Sequence, residues 1–158
     1  ANSVKNVLKT LKEITPKDNN LIAVYGSAGL RDAEKRPEMG RWGGKLANIT
    51  IFTADDPRTE DVDKIIDALE AGALEAGAVK VDAPSLARPG LAGTNKGIHR
   101  VARLQDRKEA IEFAIDIAKP GDVVALLGKG HEKSMAIGKK EIPWSDQQVA
   151  REILNSKS

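Results

Sequence analysis

Gly128-Lys129-Gly130-His131-Glu132 puts an ammonium, an imidazole and a carboxylate within five positions, directly after the apolar run Val123 to Leu127. Two glycines let the backbone come close to a ligand, and the three functional side chains suit a polar, doubly charged small molecule. Asp55-Asp56-Pro57-Arg58 sets two carboxylates and a guanidinium within four positions, with Pro57 restricting the backbone between them. Such a loop can hold an ammonium and a carboxylate together, which is what an amino acid presents. An acid-rich helix cap would explain Asp55 and Asp56 but not Arg58, a cation near the positive end of a helix. The stretch from Gly26 to Arg36 carries Arg31, Asp32, Lys35 and Arg36, and its guanidinium groups can grip a carboxylate or phosphate through two hydrogen bonds. A charged, glycine-rich turn between strand and helix is the ordinary alternative there. That loop is not Gly-x-Gly-x-x-Gly, and the chain contains no Gly-x-x-x-x-Gly-Lys-Ser/Thr, so any nucleotide is expected to be held mainly elsewhere.

The elements that must position these loops follow from periodicity. Val4, Val7, Leu8, Leu11 and Ile14 fall three or four apart and predict a helix, ended by Pro16 and Asn19-Asn20. Leu21 to Tyr25 reads as a buried strand that delivers the chain into Gly26-Ser27-Ala28-Gly29. A helix over about Pro37 to Ala47, a strand over Ile49 to Thr53 and a helix over about Val62 to Ala76 repeat the unit, with the polar stretch from Asp55 to Asp61 as loop and cap. Val79 to Val81 is a candidate strand, and Ala83 to Gly97, rich in proline and glycine, reads as a loop or lid. A strand over His99 to Leu104, a helix over Arg107 to Ala118, the strand Val123 to Leu127, a hairpin of Met135 to Ile137 with Glu141 to Trp144, and a helix from Asp146 to Leu154 complete the chain. Alternation of this length predicts an α/β, Rossmann-like open and mostly parallel sheet flanked by helices, with a C-terminal hairpin or antiparallel edge strand. The three polar loops would then converge on one sheet edge. Lys64, Glu70 and Glu112 read as a solvated face, and Trp42 and Trp144 as packing residues.

Composition bounds the function classes. A chain of 158 residues, 41% hydrophobic and 30% charged, makes about one domain. Twenty-five basic against 23 acidic residues, interspersed, give little support to nucleic-acid binding. Without cysteine there is no disulfide framework or thiolate site, and two histidines do not make a zinc site. No apolar run approaches the roughly 20 residues of a membrane span, and the visible N-terminus has no hydrophobic signal core, so a cytoplasmic protein is expected.

In this order the loops resemble those of the C-terminal domain of the Mur ligases, most closely the MurE type. The likeness rests on Gly26-Ser27-Ala28-Gly29-Leu30-Arg31-Asp32 with Lys35-Arg36-Pro37-Glu38-Met39, on Thr53 to Asp61, on Asp106-Arg107-Lys108-Glu109-Ala110-Ile111, and on Gly121-Asp122-Val123-Val124 leading into Gly128 to Glu132. The resemblance implies an ATP-dependent ligase of peptidoglycan synthesis that adds meso-diaminopimelate or L-lysine to UDP-N-acetylmuramoyl-L-alanyl-D-glutamate, by attack of the new amine on an acyl phosphate. It implies further that ATP and Mg are held by a central domain and the UDP part by an N-terminal one, neither of them in this chain, which alone should be inactive. Carried over position by position, Arg31, Asp56, Arg58, Gly128 and Glu132 would contact the incoming amino acid, the arginines meeting carboxylates and the acids meeting ammonium groups. The diaminopimelate-adding type typically has Asp-Asn-Pro-Arg where this chain has Asp55-Asp56-Pro57-Arg58; Arg58 favours diaminopimelate over lysine. The Ala83 to Gly97 segment is longer than the family's usual connection. Competing readings are the amino-acid-binding domain of another Mur-like ligase, of the folylpolyglutamate or cyanophycin synthetase type, and a stand-alone small-molecule-binding module.

Overall fold

A computed structural model describes residues 2–88 and 97–157. Helix α1 (Asn2–Ile14) leads into β1 (Leu21–Tyr25), α2 (Arg36–Leu46), β2 (Ile49–Phe52), α3 (Val62–Glu75) and the short β3 (Val79–Lys80). After a 3-10 turn at Ala83–Ala87 come β4 (Arg100–Arg103), α4 (Arg107–Ile117), β5 (Val123–Leu126), β6 (Ser134–Ile137), β7 (Lys140–Pro143) and α5 (Asp146–Ser156). The expected elements are present, with ends shifted by a residue or two. Ala83 and Leu86 of the 3-10 turn are buried, so the start of the expected loop or lid is a packed element; its continuation at 89–96 lies outside the described residues.

Five strands form a parallel sheet in the order β3-β4-β2-β1-β5, and β6 and β7 form a separate antiparallel hairpin. The register pairs Val24 with Ile51 on one side and with Leu126 on the other, which makes β1 the axis from which the chain steps outward in both directions. Crevices at such a reversal point, beyond the strands' carboxyl ends, are where open α/β sheets collect ligands. Strand pleating divides the core: Leu21, Ala23 and Tyr25 pack against α1, α2 and α3, while Ile22 and Val24 pack against the face covered by α4 and α5. Both faces are therefore dry, as the unbroken apolar runs require.

Helices α2 and α3 lie backbone to backbone. A Cβ on Gly40 would fall 1.7 Å from the Leu69 carbonyl oxygen, and one on Gly72 would fall 1.7 Å from that of Pro37. Only glycine permits this approach. Asp61, Asp106 and Ser145 cap α3, α4 and α5 by accepting hydrogen bonds from Asp63, Glu109 and Gln148 backbone N–H groups. The cap of α3 is thus Asp61, which frees Asp55 and Asp56 for another purpose.

Two buried arginines tie the loops to the sheet. Arg36 donates to both carboxylate oxygens of Glu60 and to the Ala28 carbonyl, while Glu60 also accepts from the Leu30 N–H. Arg107 donates twice to Asp146, at 2.8 and 2.7 Å, and once each to the carbonyls of Ala54 and Leu127, both at 3.0 Å. Trp144 donates its indole N–H to the same Asp146. Arg36, expected to grip a ligand, is spent on Glu60. Glu70, expected on a solvated face, is buried and pairs with Lys80 and Arg103.

Removing Arg107 leaves the Asp146 carboxylate buried and unpaired, so Arg107→Met should lower stability by about 3–5 kcal/mol in urea unfolding. The Arg36 hydrogen bonds bring the Glu60 carboxyl down from 4.5 to about 2. A carboxyl depressed on folding stabilises the fold above its unfolded value. The stability gap between wild type and Glu60→Gln should therefore be full above pH 4.5 and shrink as the pH falls from 4.5 towards about 2, read by urea midpoints across that window.

Candidate functional site

The loops after β1, β2 and β5 meet at the carboxyl edge of the sheet and are joined by main-chain and side-chain hydrogen bonds. Gly29 N–H donates to the Asp56 carbonyl at 2.9 Å, and Arg58 Nη1 donates back to the Gly29 carbonyl at 2.9 Å. The hairpin closes a third side: Arg58 N–H donates to the Ala136 carbonyl, and Gly138 N–H donates to the Arg58 carbonyl. Arg58 thus pairs with Ile137 as one extra rung beside β6.

At the centre lies Lys129, whose side chain has no exposed surface. Its Nζ donates to Asp56 Oδ1 at 2.7 Å and to Glu132 Oε1 at 3.1 Å, and Asp56 Oδ1 also accepts from the Ala136 N–H at 2.8 Å. Burial works against the lysine's charge, but the hydrogen bonds to Asp56 and Glu132 prevail and its pKa stands above the ordinary value. Asp56 is likewise held below the ordinary carboxylate range: its partial burial acts upward, and the Lys129 and Ala136 bonds outweigh it. Glu132 is about half exposed, so its carboxylate reaches solvent from one side of this cluster.

Asp55 sits behind. Burial pushes its carboxyl up, against the pull of Arg107 and Lys129. Gly128 has φ of +102°, and a Cβ there would lie 2.3 Å from Asp55 Oδ2, so both backbone and space demand glycine. Gly26, Ser27, Asp55, Leu127 and Gly128 line a cavity of about 250 Å³ between the ends of β1 and β5, with Val4 and Val7 of α1 on its outer wall.

Asp56, Arg58, Gly128 and Glu132, read from sequence as one site, are brought together here. Arg31 is exposed, and its side chain makes no hydrogen bond or ion pair among the described residues; it stands two residues beyond Gly29. Lys129, expected as a ligand-facing cation, faces inward instead. His131 is exposed and meets Gln147. Asp55, read from sequence as one of the loop's two carboxylates but not among the residues carried over by the resemblance, lies behind the site; sequence reasoning missed the Ala136 N–H, which nothing local marked. Among the described residues, four non-glycine residues take left-handed φ, namely Leu30, Asp32, Asp56 and Arg58, all in the loops after β1 and β2. Such strain persists only where surrounding bonds over-determine it.

Among the described residues no helix is long and apolar enough to cross a membrane. A family model for the Mur ligase, glutamate ligase domain, matches residues 1–130. The chain is 39% identical over 152 residues to the UDP-N-acetylmuramoyl-L-alanyl-D-glutamate--2,6-diaminopimelate ligase of Aquifex aeolicus (strain VF5), covering 96% of this chain and 27% of that protein. It is 38% identical over 154 residues to the protein of the same name from Clostridioides difficile (strain 630), covering 97% and 27%. A solved structure of a ligase of that name superposes with a TM-score of 0.77 at 32% identity, over 99% of this chain and 27% of that one. The chain spans about a quarter of the length of these relatives. With the parallel sheet, the separate hairpin and the three converging loops, these likenesses make one statement secure: the chain belongs to the Mur ligase family and is its C-terminal, glutamate ligase domain.

Proposed function

We propose that this chain is the amino-acid-binding domain of an ATP-dependent ligase that joins a diamino acid, meso-diaminopimelate in preference to L-lysine, to UDP-N-acetylmuramoyl-L-alanyl-D-glutamate. The observation that carries the reading is the clustering of Arg58 with Asp56 and the half-exposed Glu132 at one sheet edge, beside the cavity under Gly128. The names of the relatives support the choice of diaminopimelate.

In this reading Glu132 receives an ammonium group and Arg58 a carboxylate, while Gly128 lets the ligand lie against the backbone. Asp56 commits Oδ1 to Lys129 and Ala136, which leaves Oδ2 for the ligand's ammonium. Arg31 takes a second carboxylate. Two guanidinium groups match the two carboxylates of diaminopimelate, whereas lysine has one. The chain contains no Gly-x-x-x-x-Gly-Lys-Ser/Thr, and in this reading ATP and magnesium are held by the rest of the ligase, as is the UDP part of the acceptor. The domain's share of catalysis is to present the attacking amine in a fixed direction, which can account for several powers of ten in rate.

Titration of the chain, followed by NMR chemical shifts, should show binding of diaminopimelate and none of glutamate. Losing one charge-assisted contact in Arg58→Ala should weaken that binding by about tenfold or more. Binding of glutamate without any response to a diamino acid would end the assignment. ATP hydrolysis by the chain alone should not exceed that of buffer, as measured by phosphate release; robust turnover would show a complete enzyme.

A further inference from the structure

Resting on the amino-acid-binding reading above, we infer that Lys129 is a specificity-determining positioning residue, whose buried ammonium never touches the substrate but sets the charge of the pocket so that a diamino acid with two carboxylates is preferred to one with a single carboxylate.

Three carboxylates, Asp55, Asp56 and Glu132, face two cations here, Lys129 and Arg58. With Arg31, which takes a second carboxylate in the reading above, acids and cations are evenly matched, and Lys129 is the cation that acts on all three acids. Arg107, paired with Asp146 at 2.7 Å, brings no net charge but pulls on Asp55 from behind the cluster. A diamino acid with two carboxylates is electrically neutral; one with a single carboxylate carries one positive charge. The more negative the cluster, the more it favours the cation, and close charges in a half-buried site change affinity by about tenfold or more. Lys129 is the residue that limits that negative charge. Its side chain is fully shielded and its ammonium is bonded to Asp56 and Glu132, at 2.7 and 3.1 Å, rather than open to a ligand. The bond to Asp56 joins residues 73 positions apart, so the same ammonium also fixes the separation of the two loops that receive the ligand.

A double-mutant cycle separates charge from scaffolding. Diaminopimelate and lysine are titrated into wild type, Lys129→Met, Asp56→Asn and the double variant by NMR, with circular dichroism confirming the fold of each. The readout is the ratio of the two affinities, which a merely structural role would not move. Lys129→Met should shift it towards lysine by about tenfold, and Asp56→Asn should shift it towards diaminopimelate. The double variant, which removes one charge of each sign, should return to within about threefold of the wild-type ratio. Lys129→Arg, which keeps the charge, should retain the wild-type preference. A ratio unchanged across the folded variants would overturn the inference while leaving the binding reading intact. If Lys129→Met does not fold, Asp56→Asn and Lys129→Arg still decide: an unmoved ratio in the first, or a lysine preference in the second, refutes it. Wild type that binds neither amino acid would instead remove the binding reading, and this assignment with it.

Discussion

The guanidinium of Arg107 is the constraint on which the site's geometry depends. It sits at the start of α4, below the sheet edge, and its hydrogen bonds reach the Ala54 carbonyl, the Leu127 carbonyl and both oxygens of Asp146. Ala54 directly precedes Asp55-Asp56, and Leu127 directly precedes Gly128-Lys129. One planar group thus sets the distance between the loops after β2 and β5 and fastens α5 to both. A flexible ammonium could satisfy one or two of these acceptors; the fixed fork of a guanidinium satisfies all of them.

Above that base, charge and strain are balanced against each other. Asp56 and Arg58 both adopt left-handed backbone, at φ of 44° and 54°, which costs on the order of 1–3 kcal/mol each. What repays the cost is a dense set of bonds. Asp56 accepts through its carbonyl from Gly29 and through its carboxylate from Lys129 and Ala136, and Arg58 pairs through its main chain with the hairpin. The loop turns sharply enough to present Arg58 and Asp56 to the same space because these bonds hold both residues in their left-handed backbone. Arg36 and Glu60 do the same for the loop after β1, holding Ala28 and Leu30 against the start of α3.

Gly128 shows how a ligand surface and a core requirement coincide at one position. Its φ and the nearness of Asp55 both forbid a side chain, so the cavity beside it remains open and its wall is backbone. Asp55, drawn in beneath, brings a carboxyl into a place where burial penalises its charge. That cost is offset by Arg107 and Lys129, which links the base of the site to its centre.

Much of this was legible before any coordinates. Among the described residues, periodicity located the strands and α-helices to within a residue or two, because pleating and the helical repeat are local consequences of which side chains avoid water. The three loops could be expected on one edge because parallel strands alternating with helices leave their carboxyl ends together. Pairing across the chain was not legible. Lys129 between two glycines reads as a ligand's partner, and only the approach of Asp56 from 73 positions away turns it inward. Arg36 reads as an anion grip until Glu60 arrives beside it, and Glu70 reads as solvated until Lys80 and Arg103 cover it. The residue types, and hence the kind of ligand, are written in the order of amino acids. Which charges remain free to meet that ligand depends on electrostatic partners distant in sequence, and those partners exist only once the sheet has brought its edges together.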